Sequence, residues 1–151
     1  MKKIFLIVDY SDTVDKQLRL INLIKSIKEN GYEVAICSHI KLPIIVIDEV
    51  DYYFYDKNND LSFDQELLLY KYYTTDFFTI KHKPLSFYSL HITAALHMLI
   101  PSLQYLKKIG YDIVHKIEYD VIIKNVSEFI ENEKIIEKDD LDFVGFRKQQ
   151  T

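Results

Sequence analysis

Two carboxylates separated by a single residue, Glu118 and Asp120, are the sharpest chemical signal in the sequence. If the stretch carrying them is extended, both side chains leave the backbone on the same face. Such a pair suits Mg²⁺ or Mn²⁺, ions that take one or two carboxylates and complete their shell with phosphate oxygens and water. The competing reading is a solvated acidic turn. Other polar groups follow short apolar runs: Asp9-Tyr10-Ser11 after Lys3 to Val8, Ser38-His39 after Tyr32 to Cys37, and Asp56 with two asparagines after Asp51 to Tyr55. Tyr10 can stack on a nucleobase, a contact worth about 1–3 kcal/mol, or pack as a half-buried tyrosine. Ser11 or Asp12 can cap a helix, and a helix N-terminus also attracts phosphate.

The remaining candidates carry less. Lys81-His82-Lys83 can offset diphosphate charge or form a solvated basic turn. His91 and His97 are six residues apart and do not share a helical face, which disfavours a two-histidine metal site. His97, among apolar neighbours, is expected in the core or at its boundary. His115 either orients a site residue or packs structurally. Cys37 lies near His39 but lacks a third orienting group, so nothing argues for a thiol nucleophile.

The elements that must position these groups alternate. Lys3 to Val8 is a continuous apolar, β-rich run, as in a strand buried on both faces. From Val14, the apolar positions Leu18, Ile21, Ile24 and Ile27 step by three or four and predict an amphipathic helix, stopped by Gly31. Tyr32 to Cys37 predicts a second strand, giving a βαβ unit within 40 residues. Ile44 to Ile47 reads as strand or loop, and Asp51 to Tyr55 as a strand followed by the turn residues 56–60. Residues 62–73 show a weaker helical pattern and Thr74 to Ile80 is β-rich. Leu96, Leu99, Leu103 and Leu106 predict a helix ending at Lys107-Lys108-Ile109-Gly110, with Pro101 expected to kink it. Asp112 to Ile123 reads as a strand halted at an acidic turn, Asn125 to Glu137 as a helix, and Asp142 to Phe146 as a last strand. The alternation predicts a three-layer α/β/α, Rossmann-like domain with a mostly parallel sheet, whose ligand sits beyond the carboxyl ends of the strands.

Composition bounds the function. The 151 residues fit one domain, residues 1–151, and 48% hydrophobic with 28% charged residues is ordinary for a globular chain. A net charge of -4 argues against nucleic acid as a partner. No run approaches the roughly 20 apolar residues of a membrane span, and the apolar run from Ile4 to Val8 is too short for a signal peptide. The lone Cys37 excludes an internal disulfide and fits a reducing compartment, so the expected location is cytoplasmic. Twelve Tyr and nine Phe, with no Trp, include a second aromatic cluster at Tyr70, Tyr72, Tyr73, Phe77 and Phe78 that can pack the core, line a sugar site or meet a second subunit, so a homo-oligomer is an open expectation.

Ile117-Glu118-Tyr119-Asp120 resembles the metal-binding Asp-x-Asp motif of sugar-nucleotide-dependent glycosyltransferases of the GT-A fold. The phrases Cys37 to Pro43 and Val50 to Asn59 are similar to the nucleotide-binding half of bacterial and viral polysaccharide-type members. The resemblance implies a UDP-sugar donor, Mn²⁺ or Mg²⁺ as cofactor, and a glycan or other acceptor. It makes Asp120 the main metal ligand, with Glu118 reaching the metal through water or facing the sugar or ribose. Asp9, Tyr10, Ser11, Ser38 and His39, with Asp56, would hold the nucleotide. Members usually carry an acceptor-binding half beyond the acidic motif, with a general base and a late histidine. Only 31 residues (151 minus 120) follow Asp120 here and no histidine follows His115, so the acceptor half is expected to be largely absent. Asp139, Asp140 and Asp142 are the clustered late carboxylates that can stand in as a base, or form a solvated turn.

Two other classes compete: a non-catalytic nucleotide-binding or protein-interaction domain, and a phospho-receiver. Asp9 and Asp12 after the first strand and Asp56 after the third suit a receiver. Against it, Asp9 and Asp12 are not adjacent, and Lys83-Pro84 comes only 27 residues (83 minus 56) after Asp56.

Overall fold

The computed structural model describes residues 1–60, 87–140 and 144, with backbone only for 58 and 87–93. The first apolar run becomes β1 (Lys3–Asp9), and Ile4 to Ile7 are fully buried, as a central strand covered on both faces requires. Helix α1 (Val14–Glu29) follows and buries Leu20, Ile21, Leu23, Ile24 and Ile27. Its cap is Thr13, whose Oγ1 accepts from the Lys16 N–H at 3.3 Å. Neither Ser11 nor Asp12 caps it: Ser11 is wholly buried beside Asp9, and the Asp12 carboxylate is held by Lys16. Gly31, at φ +85°, takes the left-handed conformation that ends the helix without a Cβ penalty.

Strand β2 (Glu33–Ser38) and the short edge strand β3 (Tyr52–Tyr55) are joined through Ile44–Ile47, which forms a four-residue helix, α2, after Pro43. A proline at the N-cap orients the first turn, and local helical bonds override the β-branched sequence of this segment. A 3-10 turn at Lys57–Asn59 follows β3. The long helix α3 (Phe87–Lys108) contains Pro101 and ends in the expected basic turn at Gly110, φ +100°. His97 on it is exposed, not in the core or at its boundary as expected, because the buried stripe is set by Ala94, Met98 and Leu106. Strand β4 (Ile113–Glu118) and helix α4 (Ser127–Asp139) complete the described chain. The pattern at residues 62–80, the Lys81-His82-Lys83 turn, the second aromatic cluster and the strand expected at Asp142 to Phe146 lie outside the described residues.

The four strands pair in the order β3-β2-β1-β4, all parallel. Helices cover both faces. On one, α1, α2 and Phe129 of α4 pack on Phe5, Ile7, Val34, Ile36 and Ile117. On the other, Met98 and Leu106 of α3 pack on Ile4, Leu6, Ala35 and Cys37. The α/β layering read from the sequence is therefore present, with a parallel sheet between helices.

Candidate functional site

In a parallel sheet of this order, the chain moves from β1 to β2 and β3 on one side and returns to β4 on the other. The direction in which strands are added therefore reverses between β1 and β4, and the region beyond their carboxyl ends is where an α/β sheet of this kind places a ligand crevice. Register fixes what meets there: Asp9 lies beside Ser38, and Val8 beside Glu118. Two bonds carry the pairing past the strand ends, His39 N–H to the Asp9 carbonyl at 3.0 Å and Tyr119 N–H to the Val8 carbonyl at 3.1 Å.

Asp9 sits at the centre. It is fully buried, its Oδ1 accepts the Ser11 N–H at 3.1 Å, and its Oδ2 lies 2.6 Å from the Ser38 hydroxyl. Burial pushes its carboxyl above the usual range, against the lowering effect of those hydrogen bonds. Ser38 Oγ also lies 2.7 Å from the Ile40 carbonyl and accepts the Ile40 N–H at 3.2 Å, which ties the loop after β2 to the strand end. The Ser11 hydroxyl is buried beside the same carboxylate. Ser11, Ser38 and the 6%-exposed His39 thus shape the crevice floor, while half-buried Tyr10 and exposed Asp56 present surface.

Next to this floor stand the aromatic residues of β3, which the sequence places in a strand beside the nucleotide crevice. Tyr53 and Tyr55 stack nearly parallel, 6.2 Å apart, on one face of the edge strand. Tyr53 Oη accepts the Leu42 N–H at 3.0 Å, and Tyr55 donates to buried Asp60 at 2.5 Å. Burial first, then that carboxylate, raises the Tyr55 phenol well above its ordinary value. The alternation in Tyr52–Tyr55 was visible in sequence; which face meets Asp9 depended on strand order.

Glu118 and Asp120 part company. Strand β4 ends at Glu118, and Tyr119-Asp120 is a turn, so the extended geometry that would put both on one face stops short. Glu118 projects to the α3 side of the sheet with Val114 and Lys116, and its carboxylate is paired with Lys116. Asp120 is exposed on the α1 side and has no ion-pair partner among the described residues. It lines a groove of about 580 Å³ between α1 and residues 119–123. Lys16, Arg19, Asn22 and Ser26 form the α1 flank. Lys16 links groove to crevice: its Nζ lies 2.5 Å from Asp12 and 6.0 Å from the Tyr10 ring centre, and the Asp12 hydrogen bond raises its pKa. In sequence, Lys16 and Arg19 read only as the polar face of an amphipathic helix.

Two other candidates have structural roles. His115 is buried among Phe5, Tyr32 and Phe129 and lies 2.7 Å from Glu133 of α4, at the amino-terminal half of the sheet and away from the crevice. Cys37 is buried, and desolvation holds its thiol at about 12, which leaves it unreactive. Among the described residues, no three His, Cys, Asp or Glu side chains converge on a point that could hold a metal, and no helix is long and apolar enough to cross a membrane. No family model, curated protein or solved structure matches the chain.

Proposed function

We propose that this chain is the donor-binding part of a glycosyltransferase, taking a UDP-sugar with Mn²⁺ or Mg²⁺ and passing the sugar to a glycan or other acceptor. One observation carries the reading. Asp9-Tyr10 and Tyr119-Asp120 close the two adjacent strands between which the strand order reverses, where α/β proteins bind nucleotides. Tyr10 offers a ring face for the base, and Lys16 beside it offers a cation for the diphosphate. Asp56, exposed after β3, lies at the same carboxyl end of the sheet, two strands from β1, as a candidate for a ribose contact.

The residues fit a metal held partly by its substrate. Asp120 is accessible and has no ion-pair partner among the described residues, one carboxylate is enough for Mg²⁺ or Mn²⁺ when phosphate oxygens complete the shell, and Glu118 would first have to leave Lys116. The metal supplies charge neutralisation of the departing nucleoside diphosphate. Asp120 would hold it, buried Asp9 and Ser38 would fix the loops that carry Tyr10 and His39, and Lys16 would add positive charge on the leaving-group side.

The receiver alternative conflicts with the topology: in receiver-type sheets the third strand pairs with the first, whereas β3 here pairs with β2 at the edge. Calorimetry separates the rest. UDP is expected to bind with Mn²⁺ and much more weakly in chelator, and Asp120→Ala is expected to remove that difference without loss of fold, because the side chain is exposed. Absent or metal-independent binding by the unaltered chain sinks the proposal and leaves an interaction module.

A further inference from the structure

We infer that the groove between α1 and residues 119–123 is a binding site for an anionic amphiphile, a phosphomonoester head on a short apolar tail. The groove shares Lys16 and Asp120 with the nucleotide reading but does not need it, since neither nucleotide nor metal enters the test.

The two walls differ in chemistry. Along α1, Lys16 and Arg19 are three residues apart and so lie on one helical face. Arg19 is exposed and has no carboxylate within 4 Å among the described residues, so its guanidinium fork is available for bidentate phosphate recognition. Lys16 is held by Asp12, but both side chains are about 40% exposed, and solvent screens a surface pair of this kind. A dianionic head can therefore recruit Lys16 at little cost. The lining carries these two cations and one acid, Asp120; with Lys16 held by Asp12, Arg19 is the cation without an ion-pair partner among the described residues.

The facing wall is apolar. Val121 and Ile122 are exposed, Ile122 at 85%, while the neighbouring Ile123 is partly packed on the core and anchors the loop. An isoleucine this exposed beside a concave surface is apolar area that a ligand tail can take out of water. The volume, about 580 Å³, falls within the usual range of small-molecule sites. A free anion would leave the Val121–Ile122 wall uncovered, and an uncharged tail would leave Arg19 unmatched; a phosphate on a tail meets both.

The test is titration of the ¹⁵N-labelled chain with hexyl phosphate, inorganic phosphate and hexyl glucoside, followed by amide shifts. Hexyl phosphate is expected to move resonances of residues 16–26 and 119–123 and to bind at least about tenfold more tightly than either other probe. Arg19→Ala and Ile122→Ser, both at exposed positions, are each expected to weaken it about tenfold while the remaining spectrum stays unchanged. No shifts in these segments, equal binding of inorganic phosphate, or equal binding of hexyl glucoside overturns the inference. So does concentration-dependent broadening of these resonances without ligand that Ile122→Ser removes, which would assign the groove to a second copy of the chain.

Discussion

Asp9 is a buried carboxylate whose local partners only partly suit its charge. The Ser38 hydroxyl has one proton and two acceptors within 2.7 Å, Asp9 Oδ2 and the Ile40 carbonyl. An asparagine in place of Asp9 can keep Oδ1 on the Ser11 N–H and donate from its amide to Ser38 Oγ, freeing the serine proton for Ile40. Because burial raises the Asp9 pKa in the folded state, the stability it contributes belongs to low pH and is lost as pH rises above its unfolded value of 3.8 toward the folded one. Asp9→Asn is therefore expected to stabilise the chain at pH 7, by about 0.5–2 kcal/mol, the range common for single stabilising substitutions, and to weaken UDP binding. Urea unfolding at pH 7 checks the first part; equal or lower stability would show that the charged form is well served.

At the scale of elements, α4 is docked by a polar cluster. Glu133, 2% exposed, accepts from Tyr32 at 2.9 Å and Lys3 at 2.5 Å and meets His115 at 2.7 Å. Burial lowers the His115 pKa against the pull of Glu133, and for Glu133 the hydrogen bonds from Lys3, His115 and Tyr32 outweigh burial and lower it too. Both groups bind protons more readily when unfolded. The stability they supply is thus complete above about 6.5, the ordinary histidine value, and is lost as pH falls, with a second loss below about 4.5 from Glu133. Thermal midpoints are expected to drop between pH 7 and 5, and His115→Gln, which keeps a hydrogen bond to Glu133, is expected to flatten that drop. Glu133→Ala should cost about 2–3 kcal/mol, less than a fully enclosed pair because the Lys3 side chain is 30% exposed. A pH-independent midpoint would contradict this assignment of the cluster.

These two scales also show what the sequence could convey. Continuous apolar runs identified β1 and β2, and the three-to-four spacing located α1 and α3, because each signal is local. His115 was open between site and structure, since its partner Glu133 is 18 residues away on another element. Lys16 and Arg19 were legible as a polar helix face, but the wall opposite them comes from residues 119–123, whose position depends on β4 pairing with β1. The Glu118-x-Asp120 spacing was correctly seen as a strand end; where extended structure stops, one residue decides whether the two carboxylates share a face.

For the whole molecule, topology is the strongest constraint. Among the described residues, four parallel strands in the order β3-β2-β1-β4, with α1 and α4 on one face and α3 on the other, leave one strand-order reversal, and Asp9, Tyr10, Tyr119 and Asp120 close the strands on either side of it. The central claim is that a nucleotide diphosphate and its metal occupy that edge. Paramagnetic broadening of amide resonances by substoichiometric Mn²⁺ in the presence of UDP tests it most directly. Broadening centred on residues 9–11, 38–40 and 118–121, absent without UDP and lost in Asp120→Ala, is the predicted result. Broadening scattered over the surface carboxylates, or unchanged by UDP, would contradict it.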